Sequence, residues 1–455
     1  MSEPKEPSRK RRIVIIVPDC GEGGLFQFYN QLVPALAQLA DVHVVFASPT
    51  HSPLKPSISG ATCHALPPEQ ATPVLAQLLQ GPLAIAPGIS RALAAAHQAW
   101  QFALTLAPDC VEVCDWPLNA VPAVLDDSVP VVVQCHGSMA QIAEIDRPPG
   151  GAVEAALLRL IEPLVLARAP TVLTHAAANA RFWAAETGRT VTMVRPAFAV
   201  VGPPPAPTST DGGILVFGRL QAWKGPQVLC AALSQMGARA PVCDWYGSAS
   251  PWPGSGISAV SHLAAAFPAV WGKALRYHGA VDRQAVAQLM RQARAVIVPS
   301  TWDVFNFTAI EAMAAARPVL VSSGAGASEL IEDGVNGFVF EQEDPAALAA
   351  AIERLLALSS ANAQAMGTAA RKTIKRELDP ARIAAERMAG YEAAIAGHAA
   401  TPPRPAPIWL RDLLTPGALQ DFQMADFLET LPARPMLRSI AGRARRKLAL
   451  PGLRR

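Results

Sequence analysis

Short apolar runs, each followed by a longer stretch with helical spacing, recur along most of this chain, and that rhythm limits the fold more than any other feature. Strands buried on both faces read as continuous Val/Ile/Leu runs, and joining them through helices makes a parallel sheet covered on both sides. In the first series the candidate strands are 13–17, 42–47, 83–86, 111–113, 131–135, 171–173 and 191–194, with helices over 25–40, 90–106 and 153–168. Residues 202–213, GPPPAPTSTDGG, can be neither helix nor central strand and break the pattern. A second series resumes at 214–217 and continues through 242–246, 276–278, 296–298, 319–321 and 338–340, closed by helices at 344–358 and 361–377. With 455 residues the chain is too long for one core. The expected organisation is an N-terminal domain 1–201, a linker 202–213, a second domain 214–379, a further helix within 380–400, and a Pro-rich linker and tail over 401–455.

Composition removes several function classes. The net charge of +3 gives no field that would gather nucleic acid. No apolar run approaches the roughly 18 residues of a membrane span, and 13–17 behind Arg9, Lys10, Arg11 and Arg12 is too short for a signal-peptide core. Seven scattered cysteines include no second pair or histidine at zinc-ligand spacing, so reduced thiols and a cytoplasmic location are expected.

The stretch from Pro299 reads PSTWDVFNFTAIEAMAAARPVLVSSGAGASELIEDGVNGFVF. A buried strand opens into a loop carrying Asp303, and the helix that follows presents Glu311, before a second strand, a Ser/Gly loop and a hairpin-like segment ending at Asn336-Gly337-Phe338. In an open parallel sheet ligands bind at strand carboxyl ends, and a helix starting there aims free N–H groups at a phosphate. Earlier, Gly218-Arg219-Leu220 and Lys224-Gly225 follow the first strand of the second series, where a planar fork, a point charge and glycine-freed amides suit a diphosphate. Gly21-Glu22-Gly23-Gly24 opens a helix after strand one without forming the G-x-G-x-x-G dinucleotide fingerprint.

Taken together, these motifs resemble the GT-B-fold, retaining, nucleotide-sugar-dependent glycosyltransferases of family 4 (glycosyl transferases group 1). That family's segment runs P-S-x-x-E-x-F-G, E-A-M-A-x-G-x-P-V and E-x-I-x-D-G-x-x-G. Pro299, Ser300, Phe305, Glu311, Ala312, Met313, Ala314, Pro318, Val319, Glu329, Ile331, Asp333, Gly334 and Gly337 fall in register, while Asp303, Asn306 and Ala316 depart from it. The resemblance covers about residues 13–397 and is strongest after 213. It implies two Rossmann-like doubly wound parallel-sheet domains facing a central cleft, and a C-terminal helix that crosses back.

By the same resemblance Arg219 and Lys224 would hold the leaving diphosphate, Glu311 the ribose hydroxyls and Asp303 the transferred sugar. Asn306, Phe307 and Thr308 would offer backbone N–H groups. Gly23 and Gly24 would face donor phosphate and acceptor, and His136, in Gln134-Cys135-His136-Gly137, would lie near the sugar. The catalytic set is then Asp303, His136, Arg219 and Lys224. No metal or other cofactor is expected, since the nucleotide sugar is itself the substrate and no Asp-x-Asp motif has a suitable context. The implied activity moves a sugar to a saccharide or lipid-linked acceptor with retention of configuration, in polysaccharide or lipopolysaccharide biosynthesis. The alternative is a catalytically degenerate nucleotide-sugar-binding or scaffold subunit, which Asp303, Asn306 and Ala316 keep open. Asp109, Glu112 and Asp115 belong either to the family's pattern or to loop solvation. In the tail, 437–455 is either a disordered basic terminus or an amphipathic helix lying on an anionic membrane, which would put the protein at the inner face of the plasma membrane.

Overall fold

The computed structural model describes residues 9–18, 23–47, 57–146, 151–203, 212–254, 256–400 and 406–417, together with Leu437 and Ala441. The tail helix read over 437–455 therefore lies outside the described residues except at those two positions, as do Gly21, Glu22 and most of the 202–213 linker.

Two compact units divide the chain, the first comprising Met1–Thr174, Ala180–Thr192 and Ala384–Arg455 and the second His175–Asn179 and Met193–Ile383. A seven-stranded sheet forms the first unit's centre, from β1 (Arg12–Val17), β2 (Asp41–Ala47), β3 (Thr62–Leu66), β4 (Cys110–Cys114), β5 (Val131–Cys135), β6 (Thr171–Thr174) and β7 (Thr192–Met193). The second unit has six strands, β8 (Ile214–Phe217), β9 (Cys243–Tyr246), β10 (Leu275–Gly279), β11 (Ala295–Val298), β12 (Val319–Ser322) and β13 (Phe338–Phe340). Their spatial orders, β3-β2-β1-β4-β5-β6-β7 and β10-β9-β8-β11-β12-β13, follow one plan. Each is the doubly wound order that reverses direction beside its first strand, the place where such folds bind ligands.

Apolar runs form these strands because both faces are covered. Ile13, Val14, Ile15, Ile16 and Val17 on β1 are each at most 2% exposed, and burial of each stabilises by roughly 1.5–3 kcal/mol. Helix Phe307–Ala314 packs Ile310 and Met313 into the second unit's core against Val296, Val298, Val319 and Val321. β13 runs parallel to β12, with Leu320 opposite Phe338, so the segment read as hairpin-like is a crossover instead.

The run 83–86 is not a strand. Pro82 supplies no N–H for a ladder, and Pro82–Ile85 forms a 3₁₀ turn with Leu83 buried. The strand in its stead is β3, which pairs with β2 through His43–Thr62 and Ala47–Leu66. Its Thr-Cys-His sequence, with every residue exposed or half-buried, suits a sheet edge and gives no apolar run to detect. Helix Pro380–Ala400 carries Arg387 and Tyr391 into the first unit's interior, where both are fully buried. Beyond the prolines, helix Ile408–Leu414 buries Leu410, Leu413 and Leu414 in the first unit's core, a packing role that a linker-and-tail reading of 401–455 does not anticipate. Among the described residues no helix is long and apolar enough to cross a membrane.

Candidate functional site

In the second unit the sheet order places β8 beside β11, so the loops that leave their carboxyl ends are neighbours. Backbone bonds stitch these loops together. Thr301 N donates to Trp223 O at 2.9 Å, and Thr301 Oγ1 reaches the same oxygen at 3.3 Å. Gly225 is the pivot. Its φ is 75°, and a Cβ there would stand 1.8 Å from Pro299 O, so no larger residue permits this approach. The Ser/Gly loop after β12 closes the other side, with Asp303 N donating to Gly324 O at 2.9 Å and Gly326 N donating to Asp303 O at 3.0 Å.

This stitching brings together residues far apart in sequence. Lys224 Nζ donates to Asp303 Oδ2 at 2.6 Å, and Asn306 Nδ2 donates to the same oxygen at 2.8 Å. The ammonium also lies 4.6 Å from the Trp223 ring centroid, and Trp223 packs against Trp302 at 5.5 Å. Lys224 and Asp303 are mostly covered, with 19% and 15% of their side chains exposed, while Arg219 is exposed on the Gly218 turn. Asn306 does two jobs. Its Oδ1 accepts from Ala309 N at 3.1 Å, capping helix Phe307–Ala314, while its amide holds Asp303. Its φ of 84° lies in the left-handed region that favours glycine, and Ala316, another departure from the pattern, also has a positive φ of 54°. Phe307 and Thr308 N–H groups, in the helix's first turn, have no acceptor among the described residues, and Thr308 Oγ1 donates to Phe217 O at 3.3 Å. At the helix's other end buried Arg371 donates to Ala314 O, a cation placed where the dipole is negative.

Glu311 is half-buried on this doubly fixed helix, and its carboxyl has no hydrogen-bond partner among the described residues. Burial pushes its carboxyl up to about 7, with Arg283 pulling the other way. Arg283 opens helix Arg283–Gln292, and the sequence alone does not flag it as a neighbour of Glu311. Glu329 and Asp333, in register with the family pattern, have structural partners. Glu329 accepts from Ala177 N and Ala178 N at 3.1 Å each, and Arg195 approaches it at 4.0 Å. Asp333 accepts from Val339 N and pairs with Arg354.

The remaining predicted residues lie in the first unit. Gly23, with φ 111°, precedes helix Gly24–Leu39, and a Cβ on it would meet nothing within 4 Å. His136, at the end of β5, is half-buried. Its Nε2 is 3.2 Å from Tyr29 Oη, and the Phe28 ring stands edge-on at 4.6 Å. Glu112 is no loop acid. It is fully buried on β4, paired with Arg387 and accepting from Tyr391 Oη at 2.6 Å. Asp115 is 3% exposed and accepts from His136 N at 2.9 Å.

Residues 211–358 match the family model described as Glycosyl transferases group 1. A D-inositol 3-phosphate glycosyltransferase of Streptomyces griseus is 32% identical over 172 residues, 34% of this chain and 35% of that protein. A glycogen synthase of Mycobacterium tuberculosis is 32% identical over 132 residues, 29% of this chain and 32% of that protein. The chain thus spans about a third of the length of these curated relatives. Among solved structures, sucrose-phosphate synthase from Thermosynechococcus elongatus superposes with a TM-score of 0.65 at 20% identity, over 85% of this chain and 100% of that one. Anabaena Alr3699/HepE, solved with UDP and glucose, gives 0.59 at 16%, over 84% and 100%. The fold is GT-B: two Rossmann-like parallel-sheet domains.

Proposed function

We propose that the chain transfers a glycosyl group from a nucleoside diphosphate sugar to a saccharide or lipid-linked acceptor with retention of anomeric configuration. The observation that carries this reading is the Lys224–Asp303–Asn306 cluster, built at the strand-order reversal of the segment that matches the glycosyltransferase model. Breaking a sugar–diphosphate bond loads negative charge onto the departing phosphate. Lys224, Arg219 and the open N–H groups of Phe307 and Thr308 would stabilise that charge as it develops, and this reading invokes no metal. Asp303 would hold the Lys224 ammonium in place and present its second oxygen to the sugar. Glu311, on a helix capped at both ends, would take the ribose hydroxyls. Retention rests on the likeness of 299–340 to family 4. Anabaena Alr3699/HepE was solved in complex with UDP and glucose and with UDP-glucose, so UDP-sugars are the first donors to try.

A thermal-shift panel of UDP-, GDP- and ADP-sugars tests the donor reading. A donor at 100 times its dissociation constant stabilises by about 2.7 kcal/mol, an easily read shift. A panel in which no member shifts the transition contradicts it.

A further inference from the structure

In the first unit the turn after β5 leads into helix Met139–Ile145, and six consecutive backbone amides there all donate to side chains. His136 N and Gly137 N donate to the two oxygens of Asp115, at 2.9 and 3.3 Å. Ser138 N donates to Gln141 Oε1 at 3.1 Å, and Gln141 N returns to Ser138 Oγ at 3.1 Å. Met139 N and Ala140 N donate to the two oxygens of Glu162, at 3.0 and 2.6 Å. Converging amides of this kind ordinarily make an anion site. Here the acceptors are the protein's own carboxyls. Asp115 directly follows β4 and Glu162 comes from helix Gly151–Leu166, and they are 3% and 4% exposed.

The acids lie on one small cavity whose other walls are Leu118, Ala120, Val121, Val165 and Leu166. No cation is among those walls, and the cost of burying the two carboxyls is offset by the amide bonds together with the Ser138 hydroxyl on Glu162. Burial still dominates, pushing Asp115 up to about 7 and Glu162 up to about 8 despite those bonds. Two nearly buried acids with no cation on their cavity wall among the described residues are costly, and both sit at one turn. What the turn delivers is His136. Its main chain is tied to Asp115, and its ring is boxed by Phe28 and Tyr29.

We propose that Asp115, supported by Glu162, is a positioning residue that fixes the His136-Gly137 backbone and thereby aims the His136 imidazole. The consequence for His136 rests on the proposed transferase reading. The clamp on the backbone does not.

The experiment therefore has two readouts, made on full-length Asp115→Asn and Glu162→Gln, each checked for cooperative thermal unfolding. An amide side chain accepts with its oxygen but turns an N–H toward the second backbone N–H, so one bond is replaced by a repulsion. Hydrogen exchange by mass spectrometry on the peptide spanning 136–141 should quicken about tenfold or more in whichever variant folds, while the β8–β11 loops stay as in wild type. In turnover assays Asp115→Asn should lower kcat by about ten- to a hundredfold, with the donor's KM and its thermal shift unchanged. Asp115→Glu, which keeps the charge, should recover part of the loss. Unchanged exchange in both variants overturns the clamp. Faster exchange with wild-type kcat overturns the claim that the clamp aims His136. If wild type itself transfers nothing, the transferase reading fails, and the exchange result still decides the clamp.

Discussion

Both sheets reverse their strand order beside the first strand, yet the side chains gathered at the two carboxyl edges are opposite in their commitments. In the second unit Lys224 and Asp303 pair near the surface, Arg219 is exposed and Phe307 and Thr308 N–H groups are open. In the first unit the charges are spent internally. Glu112 pairs with Arg387 at full burial, and Asp115 and Glu162 bond the turn's own amides. The same topology thus leaves polar groups open at one edge and ties up much of the other. Removing a charge should cost stability in the first unit and binding or turnover in the second.

The largest effect is expected at the buried pair. Arg387→Ala leaves Glu112 charged and uncompensated beside Tyr391, and should lower unfolding free energy by about 3–5 kcal/mol in a urea titration. Joint replacement, Glu112→Leu with Arg387→Met, should return most of it, because the desolvation cost goes with the charges. If Arg387→Ala unfolds like wild type, the two edges do not differ as described.

Next comes Asp303→Asn. It keeps the shape of the second unit's cluster and removes the charge facing Lys224. Turnover should fall about 10²–10³-fold, with the urea midpoint little changed. Wild-type turnover would leave Asp303 as a loop residue and favour a nucleotide-sugar-binding scaffold.

Glu311 gives a pH-dependent contrast. Its folded value of about 7 lies above its ordinary 4.5, so its contribution to stability is full below the ordinary value and is lost as pH rises through about 7. Glu311→Gln cannot ionise. It should exceed wild type in stability at pH 8 by roughly 1–2 kcal/mol, discounting for half-burial, and match it at about pH 4. Chemical denaturation at the two pH values checks this, and a pH-independent difference would contradict it. The smallest effect calibrates the rest. Arg354 and Asp333 form an ion pair with nearly half of each side chain exposed, and Arg354→Ala should cost no more than about 1 kcal/mol in the same titration.

The second unit's site was more legible in the sequence than the first's because its parts are local. Asp303, Asn306 and Glu311 lie within one strand–loop–helix, and apolar runs mark β8 and β11. The Lys224–Asp303 contact, 79 residues apart, follows only once those strands are neighbours. The departures from the family pattern are intelligible only in three dimensions. Asn306 holds a glycine's backbone while adding a helix cap, and Ala316 carries left-handed strain of order 1 kcal/mol. Arg387 reads in sequence as one more helix cation, and its partner Glu112 is 275 residues away. Glu162 is likewise unmarked, since nothing in its own helix shows that it faces the amides of Met139 and Ala140. β3 escaped notice because an edge strand need not be apolar.

The account depends most directly on the second unit's edge being a nucleoside diphosphate site centred on Lys224. Calorimetric titration of UDP, GDP and ADP into wild type and Lys224→Ala measures this without needing the acceptor. At least one nucleotide should bind wild type, and Lys224→Ala should weaken that binding about thirtyfold or more, roughly 2 kcal/mol, with its urea midpoint nearly unchanged. Binding of equal strength by the two proteins, or no binding by wild type, would contradict it.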